Sequence, residues 1–391
     1  MKVLHVITGI DRGGAENHLL ELVKHQRASG MAVAVAYLRG QGYWAETFRK
    51  LGAQVHALGL RFYGDLRPLL ALRRVIAESD FDLLHAHLPP AELYARLALI
   101  GGRRALPLII SKHNEERFSP GPGQRLLGRW VGSRAGYVIA ISDAVKRYMT
   151  GPALGLDARK FSTIFYGIDA APFDEVREPD AASLRKEWGL AEGALAVGFV
   201  GRLVEQKDIG TLIHGFALFS RKCSDARLII VGTGPLEASL RQCAEEAGIS
   251  ARIVWAGFRS DIHRVMRAFD VFALTSIYEG LGLVLLEAMA ARRAVVATRV
   301  GAIPEVVVAG ETGLLIAPQC PPELAEALHK LTDDALRARL GEAGGRRVRH
   351  DFTLGKMLRQ TDALYARCLQ ARHREAPSMI GPGELAQIQE P

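Results

Sequence analysis

Two carboxylates eight positions apart, Glu279 and Glu287, stand in the stretch Thr275-Ser276-Ile277-Tyr278-Glu279-Gly280-Leu281-Gly282-Leu283-Val284-Leu285-Leu286-Glu287-Ala288-Met289-Ala290. The stretch reads as a strand end, a glycine turn and an apolar helix. Unpaired N–H groups and the positive dipole end of a helix start suit an anion, and Gly280, Leu281 and Gly282 would let one approach the backbone. Glu279 falls on the turn and Glu287 one to two helical turns inside, so they can hold different parts of one extended ligand, each accepting two hydroxyls. A carboxylate at 287 could merely favour the early-helix dipole. It is, however, the only charge between Gly280 and Ala291, and half-burial without donors would be costly. That favours binding.

A second constellation is Phe199-Val200-Gly201-Arg202-Leu203-Val204-Glu205-Gln206-Lys207-Asp208. A strand end delivers Arg202, and Lys207 starts the following helix. Fixed cations there would stabilise the charge growing on a departing diphosphate. Spacing alone fits solvated surface charges equally well; position favours a site, because ligands of open α/β sheets bind beyond the carboxyl ends of the strands. The turn with Gly232 and Gly234 is a weaker donor-side signal, and Glu237 stands where the dinucleotide fingerprint needs its third glycine. A nicotinamide cofactor is therefore disfavoured, as is a P-loop, whose Gly-x-x-x-x-Gly-Lys-Ser/Thr run does not occur. No cofactor is expected.

In the first half, Thr8-Gly9-Ile10-Asp11-Arg12-Gly13-Gly14-Ala15-Glu16 follows the first strand and opens a helix, so Gly13, Gly14 and Glu16 are acceptor-side candidates. His113 ends a strand, from which its ring could meet a sugar hydroxyl. His85 and His87 share one strand face but no third ligand is indicated, so no metal site is expected. Cys223, Cys243, Cys320 and Cys368 lie far apart without a Cys-x-x-Cys pair, suggesting neither zinc nor a disulfide framework.

These groups need strands to carry them. Short apolar runs at Lys2–Thr8, Met31–Leu38, Gln54–Leu58, Asp82–His87, Pro107–His113, Tyr137–Ser142 and Phe161–Tyr166 alternate with helical patterns. The rhythm restarts at 195–201, Arg227–Gly232, Ile253–Gly257, Val271–Thr275, Ala294–Val300 and Leu314–Ala317. This predicts α/β architecture with parallel sheets covered on both faces. The expected domains are 1–169 and 170–353, joined by a linker at 169–178, with a final helix at about 354–372 and a disordered tail at 373–391. Residues 114–125 are expected to form a mobile loop.

The 391 residues carry a net charge of +8, yet residues 1–167 alone hold 23 Lys and Arg against 13 Asp and Glu. Arg67, Arg73, Arg74, Arg103, Arg104, Arg125, Arg129, Arg134, Lys146 and Arg147 could make a cationic surface for an anionic membrane or a phosphate-bearing acceptor; dispersed solvated charges are an equal reading. No apolar run is long enough to span a bilayer and no secretory signal is evident, so a cytoplasmic protein is expected, with a peripheral place on the inner membrane face as a further reading. No nucleic-acid partner is expected.

Together, the Glu279-x7-Glu287 pattern, Arg202 with Lys207, the Gly13-Gly14 loop and the two-domain rhythm resemble the family-4 retaining glycosyltransferases of GT-B fold over nearly the whole chain. The resemblance implies two Rossmann-like domains facing a cleft, the second holding a nucleotide-sugar donor and the first a glycan or lipid-linked acceptor, with the last helix crossing back to the first domain. It implies that Glu279 binds the transferred sugar, Glu287 the ribose, Arg202 and Lys207 the diphosphate, and the amides of Gly280 to Gly282 the donor. His113 would face the reaction centre, and Ser142 and Asp143 would line the cleft. Retention without a metal is implied, and no Asp-x-Asp tripeptide stands where it would hold one. The expected donor is a UDP- or GDP-linked hexose, the setting cell-surface polysaccharide or lipopolysaccharide synthesis. A non-hydrolysing sugar-nucleotide epimerase and a catalytically idle sugar-nucleotide-binding subunit remain alternatives.

Overall fold

The computed structural model describes residues 1–11, 13–102, 106–114, 123–152 and 154–375, and the side chains of these except at 124 and 372–375. Arg12, Arg103, Arg104, most of the expected mobile loop and the tail beyond residue 375 lie outside them.

Thirteen strands occur among the described residues: β1 Lys2–Ile7, β2 Ala32–Tyr37, β3 Gln54–Ala57, β4 Leu83–His87, β5 Leu108–Lys112, β6 Tyr137–Ala140, β7 Phe161–Thr163, β8 Ala196–Val200, β9 Arg227–Val231, β10 Ile253–Gly257, β11 Val271–Leu274, β12 Ala294–Thr298 and β13 Leu314–Ile316. They form a seven-stranded sheet, β3-β2-β1-β4-β5-β6-β7, and a six-stranded sheet, β10-β9-β8-β11-β12-β13. The registers are parallel, with His5 opposite His85 and Ala273 opposite Val296. Strands covered on both faces need no polar side, and every residue of β12, Ala-Val-Val-Ala-Thr, is buried. Close packing shapes the choice of residue elsewhere: a Cβ at Gly198 in β8 would lie 2.2 Å from the Phe269 ring, which stacks on Trp188.

Strand order reverses at β1, between β2 and β4, and at β8, between β9 and β11. Such a reversal splays the following turns apart and opens a crevice beyond the carboxyl ends. Arg202 follows β8 and Glu279 follows β11, so the second crevice gathers two of the groups singled out above.

The chain divides into two compact units, one of 1–111, 130–138 and 359–391, the other of 112–129 and 139–358. In sequence, the passage from one sheet to the other falls between Thr163 and Ala196, and the first sheet contributes strands to both units.

The linker expected at 169–178 is ordered. Ala171–Glu175 is a short helix with Phe173 buried, and Asp174 accepts from Arg349 Nη2 at 2.6 Å and pairs with Arg292 at 3.1 Å. Pro172, and Pro179 just beyond it, sit in the first turns of helices, where the missing N–H costs nothing. The last helix spans Leu354–Glu375. From Arg359 on it belongs to the first unit, where Tyr365 OH meets His85 Nδ1 at 2.6 Å and Asp362 meets His25 Nε2 at 2.7 Å. Among the described residues no helix is long and apolar enough to cross a membrane.

Candidate functional site

The centre of the site lies in the second unit, where the turns after β8 and β11 meet. After β8 a single 3-10 turn, Glu205–Lys207, precedes the helix Ile209–Ser220. Lys207 therefore stands just before the α-helix rather than at its start. Asp208 caps that helix from a left-handed backbone (φ 44°), its carboxylate accepting from Thr211 Oγ1 at 2.7 Å. Thr275 Oγ1 donates to the carbonyls of Lys207 at 3.1 Å and Asp208 at 2.9 Å, and Ile277 N donates to Gln206 O at 2.9 Å. These bonds stitch the two turns together.

Across the seam Lys207 Nζ donates to Glu279 Oε1, which also accepts from the buried Ser276 Oγ at 2.7 Å. The carboxylate is 7% exposed and the ammonium 16%, so both are largely withdrawn from water. An ammonium carries three donors, leaving Lys207 able to serve a further acceptor. The backbone is held as firmly: Ala302 N donates to Glu279 O at 3.2 Å, and Gly301 (φ 49°) fits there because a Cβ would come within 2.1 Å of that oxygen.

Gly280 abuts His113 and Asn114, which follow β5. A Cβ at 280 would lie 2.2 Å from His113 O and 3.1 Å from Asn114 Cα. The His113 ring is 9% exposed and meets Tyr166 OH through Nδ1. Burial, and secondarily the charge of Lys112, lower its pKa to about 3, so the imidazole is neutral at physiological pH.

Gly282 (φ 82°) precedes the helix Leu283–Ala290, and among the described residues no side chain caps this start. Leu285 N donates to Gly282 O at 2.8 Å, and the amides before it have no side-chain cap, as a phosphate or hydroxyl ligand requires. The Leu281 side chain is buried, so only its backbone can take part. Glu287 lies in the second turn of this helix. Among the described residues it has no hydrogen-bond partner, and burial pushes its pKa from 4.5 up to about 7. Such a carboxyl is prepared for donors that arrive with a ligand.

Arg202 opens onto a pocket of about 350 Å³ lined by Val204, Glu205, Gln206, Leu236 and Tyr278. Among the described residues its guanidinium has no internal partner. Gly232 (φ 132°) and Gly234 allow the neighbouring turn to pack: a Cβ at 232 would meet Gly201 O at 1.9 Å, one at 234 Leu203 O at 2.4 Å. They shape the strand end that carries Arg202.

The other candidates stand on other elements of the chain. In the first unit Gly13 immediately precedes the helix Gly14–Ala28, and the Glu16 carboxylate in the first helical turn folds over it, so that a Cβ at 13 would lie 2.3 Å from Glu16 Oε2. Ser142 is fully buried and caps the helix Asp143–Thr150, its Oγ accepting from Val145 N at 3.1 Å. Asp143 accepts from Thr163 Oγ1 at 2.5 Å. Glu305, which sequence reading missed, receives Asp143 N at 2.8 Å and Arg147 Nη2 at 2.9 Å. Ser276 and Gln206 were also missed, because neither type nor spacing marks a hydroxyl or amide that supports another residue.

The histidine pair has a third neighbour: ring nitrogens of His5, His85 and His87 lie within 4.8 Å of one another, all buried. The sequence indicates no third ligand beside the pair; parallel register brings a third imidazole to it by placing His5 opposite His85. The rings are engaged in hydrogen bonds: His5 meets Gln26 at 2.9 Å and His87 at 3.1 Å, and His85 meets Ser111 at 2.8 Å besides Tyr365. Burial lowers the pKa of His5 to about 4. The one Asp-x-Asp tripeptide, Asp80-Phe81-Asp82, precedes the amino end of β4, where Asp82 accepts from Lys2 N at 2.8 Å.

Two Rossmann-like parallel sheets, with a withdrawn carboxylate–ammonium pair and a helix start without a side-chain cap at a strand-order reversal, define a protein of GT-B type. Residues 12–171 match the model of Glycosyltransferase Family 4, and residues 180–347 that of Glycosyl transferases group 1. The chain is 30% identical over 383 residues to alpha-maltose-1-phosphate synthase of Mycobacterium tuberculosis, covering 90% of this chain and 95% of the relative. It is 31% identical over 361 residues to the GDP-mannose-dependent alpha-(1-6)-phosphatidylinositol monomannoside mannosyltransferase of the same species, covering 86% and 89%. HepE of Anabaena, solved with UDP, superposes with a TM-score of 0.81 at 25% identity over 94% of this chain and all of that one. The chain belongs to the family-4 glycosyltransferases of GT-B fold.

Proposed function

We propose that the protein is a retaining, metal-independent hexosyltransferase that moves a sugar from a UDP- or GDP-linked donor to a glycan or lipid-linked acceptor in cell-surface polysaccharide or lipopolysaccharide synthesis. The observation that carries this is Glu279, held by Lys207 and Ser276 beside the open start of the helix bearing Glu287. Glu279 accepts hydroxyls of the transferred sugar, and Glu287 those of the ribose. The amides of Gly282 and Leu283, the guanidinium of Arg202 and the remaining donors of Lys207 surround the diphosphate. As the anomeric carbon–oxygen bond breaks, its electrons pass to the diphosphate oxygen, and these positive groups stabilise the charge. The departing oxygen helps take the acceptor hydroxyl's proton as the new bond forms on the same face. No separate base is then required, and neutral His113 offers a hydrogen bond near the reaction centre. The UDP bound to HepE and the GDP-mannose dependence of the mycobacterial relative support the two donor classes.

Thermal unfolding with UDP, GDP, ADP and their hexose conjugates tests the reading, because a ligand that binds only the folded state raises its stability. A base-selective rise lost in Glu287→Ala and Lys207→Ala is expected. No rise with any nucleotide, an inverted product anomer, or loss of turnover in EDTA would overturn it.

A further inference from the structure

Of the large apolar side chains more than 60% exposed among the described residues, four of five fall within nine positions: Phe62 (63%), Tyr63 (63%), Leu66 (66%) and Leu70 (61%). Exposed Arg61 and Arg74 flank them, and Arg73 lies beside Leu70. The helix Arg67–Ala77 turns Pro68 and Leu72 inward, while Leu66, Leu70, Arg73 and Arg74 follow the i, i+4, i+7, i+8 spacing of one outward face.

The preceding loop is fixed in this presentation. Asp65 is buried at its centre and accepts from Arg67 N at 3.1 Å and Arg67 Nε at 2.9 Å, while its carbonyl receives Tyr94 OH at 2.8 Å. The Arg67 guanidinium holds the Asp65 carboxyl well below the usual carboxylate range, so this anchor stays charged. Arg73 Nη2 donates to Ile100 O at 2.9 Å, which brings the partly exposed Ile100 alongside.

We infer that this loop and helix face dock on an anionic lipid bilayer. The inference rests on the lipid-linked acceptor of the proposed function and names the surface that would bring the enzyme to it. Aromatic and leucine side chains of a fixed amphipathic face enter the headgroup and acyl boundary, while arginines beside them meet lipid phosphates. A second copy fits less well: a two-fold interface would bring the same patch together with itself and oppose its arginines. The other basic residues anticipated in this half are partly spoken for, Arg67 by Asp65 and Arg147 by Glu305.

The test is co-sedimentation of the full chain with phosphatidylglycerol–phosphatidylcholine vesicles and with pure phosphatidylcholine vesicles, without donor or acceptor, at low and raised salt. The wild type should bind the anionic vesicles selectively and lose binding as salt screens the charges. Phe62→Ser/Leu70→Ser and Arg61→Gln/Arg74→Gln should each weaken partitioning by about tenfold or more. Both should retain nucleotide stabilisation, which reads the donor site separately. Absence of wild-type binding, or equal binding by both variants, would overturn the inference. So would sedimentation velocity showing a dimer that the apolar variant dissolves, since the patch would then be covered by a second copy.

Discussion

Lys207 Nζ and Glu279 Oε1 form an ion pair that ties the turn after β8 to the turn after β11, with Ser276 Oγ 2.7 Å from the same carboxylate oxygen. Each turn comes from a different strand, so the pair can form only when the β8–β11 neighbourhood is complete. Its position at the reversal of strand order makes it both a fastening and part of the proposed donor site. Stability and activity should therefore respond differently when its charges are removed.

Lys207→Met leaves a buried carboxylate with only a hydroxyl donor, and is expected to cost about 3–5 kcal/mol. The double variant Lys207→Met/Glu279→Gln removes both charges and should recover much of that loss in denaturant unfolding. Turnover should remain about a hundredfold or more below wild type in the single and double variants alike. A stable double variant with wild-type kcat would show that the pair is structural only.

Glu287 supplies a pH prediction. Its folded-state pKa of about 7 exceeds the ordinary 4.5, so the native protein holds a proton that the unfolded chain releases earlier. Stability from this group is fully present below about 4.5, declines as pH rises through the interval, and levels off above 7. Glu287→Gln should match the wild type near the acid end and exceed it at pH 8 by at most about 3 kcal/mol. Nucleotide affinity should move oppositely: hydroxyl donors favour the carboxylate, so wild-type binding should tighten through pH 7 while the glutamine variant stays weak and flat. Unfolding and calorimetric titrations from pH 4 to 8 would read both, and parallel profiles for the two proteins would refute the assignment.

The strands were legible because a sheet covered on both faces needs continuous apolar runs, such as Val271–Leu274 and Ala294–Thr298. The places of Arg202 beyond β8 and Glu279 beyond β11 were legible from the same runs, and the ends of such strands are where ligands of open α/β sheets bind. Supporting contacts were not. Nothing in the sequence marks Ser276 as the donor to Glu279, and Glu305 finds Asp143 and Arg147 more than 150 positions away. The ordered helix Ala171–Glu175 was hidden by prolines that signal a linker as readily as a helix start. His5 joins His85 and His87 through parallel register, a long-range property that local spacing does not contain.

Gly280 offers the sharpest geometric prediction. Its φ lies outside the left-handed region, so an alanine would suffer no intrinsic backbone penalty; the obstacle is His113 O, 2.2 Å from where the Cβ would stand. A backbone carbonyl cannot rotate aside as a side chain can, so Gly280→Ala must displace either the Glu279–Gly280 turn or the His113–Asn114 segment. Displacement by even an ångström at the proposed reaction centre is expected to cost about a hundredfold in turnover. Unfolding should register only a modest loss, about 1–3 kcal/mol, as for other overpacked sites. His113→Ala provides the complementary readout: it removes the imidazole while leaving the carbonyl in place. Because His113 is neutral with a pKa of about 3, its removal should lower kcat without shifting any limb of the pH–rate profile between pH 5 and 8. If Gly280→Ala retains full kcat, or if His113→Ala abolishes a titration in that interval, the close approach between these two residues does not position the reaction centre.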